Sequence, residues 1–292
     1  MRPIRSVPEI VADDAVTAWL GSKRANSLSL AEFEQAALRG EFEDPFFHSK
    51  PWLCFTEHTR TLWRQNDHVV LRGIPEVGEG MSLLLASLAL SQRFKPYRKD
   101  KIVKHFRMSP WTTDLSHTLK EGHFHTDINT APTPPVLTAI QCKVPDPSSP
   151  PQGELRVARL SELLEELRRQ NATATLSFLQ ETDVTMVNET SPGGWTGRIV
   201  AEERIRFHPE TLRAGQRRFG NNPPDLEAHL QLIHESALSI STPIHLGAGE
   251  VLLVSNTRAL HYRGACTVVF QSFPRDFTSR EVYVLHQLDE PR

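Results

Sequence analysis

Gly122-His123-Phe124-His125-Thr126-Asp127-Ile128-Asn129-Thr130 sets three metal-ligand side chains at alternate positions within five residues. Successive side chains of a strand point to opposite faces, so a strand here puts His123, His125 and Asp127 on one side and Phe124 and Thr126 on the other. The chain has thirteen histidines, and one or two His-x-Asp/Glu triplets arise by chance; it holds two. The second, His208-Pro209-Glu210, carries a proline that removes a backbone donor and fixes φ, which suits a turn or helix start. His125-Thr126-Asp127 therefore gains meaning only from the rest of the chain.

The 292 residues are long enough to bury about three quarters of the unfolded surface. With 33 Lys and Arg against 35 Asp and Glu, the charge balance favours neither nucleic acid nor an anionic membrane as partner. The densest basic stretch, Arg93 to Lys104, reads as a solvated strand edge, with an anionic-substrate rim as the alternative. Three cysteines without CxxC spacing fit a reducing, cytoplasmic compartment. No apolar run approaches membrane length, and Met1 to Arg5 leads into Pro8, Glu9, Asp13 and Asp14, not into an apolar signal core.

Residues 8 to 40 read as helical, with capping-box spacing at Ser29 and Glu32. Phe46, Phe47, Trp52, Phe55 and Trp63 supply core packing. His68 to Arg72, closed by Gly73 and Pro75, is a buried strand, Met81 to Leu90 a buried helix, and Lys101 to Phe106 a strand with one covered face. Val136 to Cys142 is a further apolar run. Strands are expected at 154–160, 183–188 and 198–207, with a turn at Pro192-Gly193-Gly194 between the last two. Helices are expected at 161–170, 172–179 and 226–239, with His229 and His234 off the buried stripe of the last. Glu250 to Val254 and two closing runs, 266–273 and 280–286, complete the strands. Many short strands with helices gathered early and at insertions imply a mainly β fold with α insertions.

Two histidines and one carboxylate leave coordination positions open, the arrangement of non-haem Fe(II) oxygenases. His261 is the candidate third ligand: it follows an apolar strand 134 residues beyond Asp127. At this point the chain resembles the Fe(II)- and 2-oxoglutarate-dependent dioxygenases of the taurine dioxygenase and clavaminate synthase-like type. The resemblance rests on Val69-Val70-Leu71-Arg72-Gly73-Ile74-Pro75, on His125-Thr126-Asp127, on Arg206-Phe207-His208-Pro209, and above all on Gly249 through Arg263 with Asn256-Thr257-Arg258 and His261.

That resemblance implies a double-stranded β-helix (jelly-roll) core flanked by helices, in a single domain over 1–292 with a helical part to about 65 and the core over about 66–290. It implies Fe(II) on His125, Asp127 and His261, with 2-oxoglutarate and O2 as co-substrates. An arginine must take the far carboxylate of 2-oxoglutarate, because a planar guanidinium grips that group with two parallel bonds. Arg275, fourteen residues after His261, is placed ahead of Arg280, nineteen after. The implied reaction oxidises, by default hydroxylates, a small polar, amino-acid-like compound or natural-product intermediate and releases succinate and CO2. Asn129, Thr130 and the 107–122 loop are candidate substrate contacts. Two departures stand out. Leu155 replaces a hydroxyl residue that often helps hold the co-substrate, and Tyr262 follows the distal histidine where glycine is common.

Two other readings compete. His123-x-His125-x-Asp127 is similar to the start of the metallo-β-lactamase-type zinc hydrolase element, although Ile128 stands where its last histidine belongs. A jelly-roll binding module without turnover is the other. The sequence does not speak to oligomeric state.

Overall fold

Apolar runs at His68–Arg72, Leu137–Val144, Val251–Ser255 and Glu281–Gln287 pair into one block of sheet. The structure is a computed structural model describing residues 6–22, 29–188 and 194–291. In chain order it opens with strand β1 (Glu9–Val11) and helices α1 (Asp14–Leu20), α2 (Leu30–Arg39) and α3 (Lys50–Asn66), then β2 (His68–Arg72) and α4 (Met81–Ser87). Strands β3 (Phe94–Lys95), β4 (Lys104–Arg107), β5 (Leu137–Val144) and β6 (Leu155–Arg159) lead to helices α5 (Leu160–Arg169) and α6 (Thr173–Gln180). Next come β7 (Asp183–Val187), β8 (Gly194–Arg198), β9 (Val200–Ala201), β10 (Arg204–Ile205), α7 (Pro209–Phe219) and α8 (Leu226–Ile240). The chain closes with β11 (Val251–Ser255), β12 (Ala259–Arg263), β13 (Val268–Ser272), β14 (Asp276–Ser279) and β15 (Glu281–Gln287).

The main sheet runs β1-β2-β11-β5-β15-β3, with β4 also paired to β15. Its pairings are antiparallel except that of β1 with β2. Both faces are covered, and the two-residue period of a strand sorts the side chains. Val69, Leu71, Leu137, Ala139, Val251, Leu253, Tyr283 and Leu285 join a core with α1 to α4. Their neighbours Val70, Ile140, Cys142, Leu252, Val254 and Val282 face inward, toward Leu155 and Val157 of β6 and Ala259 of β12. β6 and β12 pair antiparallel and form the opposing layer of the jelly roll, with His261 opposite Val157. Beyond that layer, Leu260 and Tyr262 turn outward into a third core built largely from α5 to α8.

The mainly β class with helical insertions is the observed one. Ser29 and Glu32 form the capping box ahead of α2, and Trp52, Phe55 and Trp63 of α3 are buried. The continuous helical reading of 8–40 needs correction. Glu9–Val11 is a strand, because its backbone pairs in parallel with Val70–Arg72, a tertiary partner that local periodicity does not encode. His229 is also buried, stacked on Phe178 with centroids 4.6 Å apart and bonded to Thr175. In the expected turn, Pro192 and Gly193 lie outside the described residues. Among the described residues no helix is long and apolar enough to cross a membrane.

Candidate metal centre

His125, Asp127 and His261 converge: one ligand atom from each lies within 4.8 Å of the others. The stretch 122–130 that carries the first two is not the expected strand. It makes one isolated bridge, His125 to His261, and Ile128 then takes φ 52°, turning the chain away from the site. Three consecutive residues are held by three separate segments. His125 exchanges both backbone hydrogen bonds with His261, at 3.0 and 3.1 Å. The Thr126 N–H donates to the Phe207 carbonyl, and the Phe207 N–H donates to the Thr126 hydroxyl. The Asp127 N–H donates to the Asn256 side-chain oxygen at 2.6 Å, while the Asn256 amide donates back to the Asp127 carbonyl and to that of Pro135.

The side chains are oriented as tightly. His125 Nδ1–H donates to the His123 carbonyl at 2.7 Å, which leaves the Nε2 lone pair facing Asp127. Asp127 Oδ2 accepts from the Thr138 hydroxyl at 2.7 Å and lies 3.1 Å from His286 Nε2. Thr138 and His286 are cross-strand partners on β5 and β15, so the inner face of the sheet positions the carboxylate. His125 Nε2 and His261 Nε2 stand 3.5 and 3.4 Å from the Asp127 oxygens, long for hydrogen bonds. Neighbouring ligands of an ion with bonds of about 2.1 Å sit roughly 3 Å apart, so this donor set fits one divalent cation.

The electrostatics agree. Burial alone raises the Asp127 carboxyl, but the imidazoles of His261, His125 and His286 reverse the sign and hold it well below the usual carboxylate range. At His125 burial pulls the imidazole down, yet the adjacent Asp127 carboxylate outweighs it and raises it; at His261 desolvation wins and lowers it. His208, whose ring centroid is 4.9 Å from that of His125, is pushed down to about 3 by burial and then by the nearby imidazoles. It is a neutral group at the site's edge, and it caps α7 as its proline predicts.

The three residues open on a cavity of ≈ 300 Å3. Arg280, Val282, Val284 and His286, alternate positions at and along β15, all line it. Arg280 is 3% exposed, and no hydrogen bond or ion pair reaches its guanidinium among the described residues. Burial lowers its pKa, against the pull of the Cys266 and Cys142 thiols. Arg275 stands instead on the exposed hairpin turn between β13 and β14, away from this cavity. The other candidate contacts are also displaced. The Asn129 amide donates to the Thr211 hydroxyl at 2.7 Å and approaches the Met186 sulfur, and neither it nor Thr130 lines the cavity. Ile128 does. Leu155 and Tyr262, the two departures, both line it as well.

His123 does not join the ligand cluster. Its Nε2 lies 3.2 Å from Glu210 and the residue borders both this cavity and a second one, so the His-x-His-x-Asp geometry of the zinc hydrolase reading is not formed. Thr138 and His286 carry no local sign of a site role in the sequence, and His208 enters it only as a turn triplet and a point of family resemblance. Only the two-residue period running back from His286 to Arg280 carries a signal for part of that face.

No curated protein sequence matches this chain significantly. Among solved structures, an asparagine oxygenase in complex with Fe(II), 2S,3S-3-hydroxyasparagine and succinate superposes with a TM-score of 0.64 at 13% identity, over 96% of this chain and 94% of that one. The non-heme iron oxygenase OrfP, in complex with Fe and alpha-ketoglutaric acid, gives 0.64 at 15% identity over 97% and 95%. The PvcB protein from Pseudomonas aeruginosa gives 0.57 at 14% identity over 80% and 79%. At these identities the likeness is one of fold. The family model described as "Taurine catabolism dioxygenase TauD, TfdA family" matches residues 52–268, most of the length that carries the sheet, the clamped ligands and the cavity, and the chain belongs to that family.

Proposed function

We propose that the protein is an Fe(II)- and 2-oxoglutarate-dependent oxygenase in which His125, Asp127 and His261 hold the iron and Arg280 takes the far carboxylate of 2-oxoglutarate. The observation that carries this reading is the shared cavity: a His-Asp-His donor set and a buried guanidinium with no ion-pair partner among the described residues open on the same small space. A buried cation of this kind is costly unless an anion completes it. The solved neighbours include complexes with succinate and with alpha-ketoglutaric acid, which supports the same assignment.

Bound iron and co-substrate supply O2 activation, coupled to loss of CO2 and release of succinate. The chain supplies position. Thr138 and His286 orient the Asp127 carboxylate, Asn256 fixes its backbone, and apolar Leu155, Val282 and Val284 limit water around the reacting groups. The substrate is a small polar, amino-acid-like compound, and hydroxylation is the outcome we assign; hydroxyasparagine and hydroxyarginine complexes of the neighbours favour it. The N-terminal helices pack on the outer face of the sheet whose inner face carries the site, which supports one catalytic domain. Three free cysteines support a reducing compartment.

The test is succinate release from 2-oxoglutarate under Fe(II) and O2. Wild type should release succinate, and His125→Ala, Asp127→Ala and His261→Ala should each abolish it. Wild-type rates in any of the three would refute the assignment.

A further inference from the structure

Lys104 and Phe106 alternate inward on β4, opposite Val284 and Val282 of β15, and both line the cavity, while His105 and Arg107 face solvent. The Lys104 ammonium sits 4.3 Å over the Phe106 ring. Lys101 and Lys143 pair with Glu34 and Glu281; Lys104 has no carboxylate partner among the described residues. Across the cavity, the Arg263 guanidinium donates to the carbonyls of Leu115, Lys120 and Gly264, and no acid among the described residues forms an ion pair with it. Among the described residues, Asp127 is the single carboxylate in the lining. Glu121 and Glu210 are not part of that lining; the first accepts from the Tyr262 hydroxyl and keeps its charge, and the second pairs with His123 and Arg213.

This inference rests on the oxygenase reading. Ferrous iron, Asp127, the two carboxylates of 2-oxoglutarate and Arg280 cancel in charge, which leaves Lys104 and Arg263 as uncompensated cations facing the substrate space. A bare substrate ammonium there would meet two like charges and no acid, whereas a carboxylate would complete the half-buried lysine. We infer that the substrate is an amino-acid-derived acid whose amine is acylated, and that its carboxylate docks on Lys104 beside the Phe106 ring. Lys104 is thus a specificity-determining residue.

The experiment is anaerobic calorimetric titration of protein loaded with Fe(II) and 2-oxoglutarate, where no turnover occurs. The probes are three matched panels: N-acetyl-L-amino acids, the free L-amino acids, and the N-acetyl-L-amino acid amides. At least one N-acetyl acid should bind, with its free amino acid and its neutral amide weaker by about tenfold or more. Lys104→Met should weaken that acid by a similar factor, and Lys104→Arg should restore part of it. The visible charge-transfer band of the 2-oxoglutarate chelate should persist in Lys104→Met, which separates a docking defect from misfolding. If the band fails to form in wild type, the oxygenase reading fails; the same titrations on metal-free protein then still decide the role of Lys104. Tighter binding of free amino acids, equal binding of acids and amides, indifference to Lys104→Met, or no binding by any N-acetyl acid would overturn the inference.

Discussion

The side-chain amide of Asn256 grips the main chain of Asp127 from both sides, accepting from its N–H at 2.6 Å and donating to its carbonyl at 3.1 Å. The carboxylate ligand therefore takes its place from a residue 129 positions further along.

Asn256→Ala removes that grip and leaves buried backbone groups unpaired. We expect Fe(II) affinity to fall by roughly ten to a hundredfold and stability by about 1–3 kcal/mol. Anaerobic Fe(II) titration and thermal melting measure the two separately. Unchanged metal affinity would show that Asp127 does not depend on the clamp.

Thr138 and His286 converge on the same Asp127 oxygen. Thr138→Val and His286→Gln should each weaken Fe(II) binding, and the double variant should lose less than the sum of the two, because both act through one carboxylate. Strict additivity would argue for independent roles.

Arg280→Gln should raise the KM for 2-oxoglutarate by about thirtyfold or more, the cost of truncating one partner of a buried ion pair. Arg275→Gln, on an exposed turn, should stay within about twofold. The reverse ranking, read from succinate release at varied 2-oxoglutarate, would move the anchor to the hairpin.

Cys142 is buried on the inner face of β5, and burial pushes its thiol up from 9.0 to about 11. At pH 8 iodoacetamide should label exposed Cys54 and leave native Cys142 untouched, as peptide mass mapping would show. The folded state holds this proton longer than the unfolded chain does. Its contribution is therefore complete below about pH 9 and is lost as pH rises toward about 11. Across that window wild type should lose roughly 2–3 kcal/mol relative to Cys142→Ala in urea unfolding. A pH-independent difference would contradict the shift.

The proposed metal ligands were legible because few residue types bind a cation and their spacing is constrained: His125 and Asp127 at i and i+2, His261 after a strand. The expected strand at 122–130 failed because Ile128 takes a left-handed φ that a β-branched residue does not advertise, imposed by distant partners of Thr126 and Asp127. Spacing after His261 ranked Arg275 above Arg280, yet the hairpin at 272–275 breaks any count carried across it. Strand parity running back from His286 picks out Arg280. Thr138 and His286 left no local trace, since a cross-strand pair is written in two places at once.

The backbone hydrogen bonds between His125 and His261 close a loop of well over a hundred intervening residues. An unfinished copy offers just a neighbouring histidine and aspartate, two donors that retain a divalent ion poorly. With these three residues as the proposed ligands, tight iron retention reports that the two segments have met, and sorting purified molecules by bound metal would sort them by that closure.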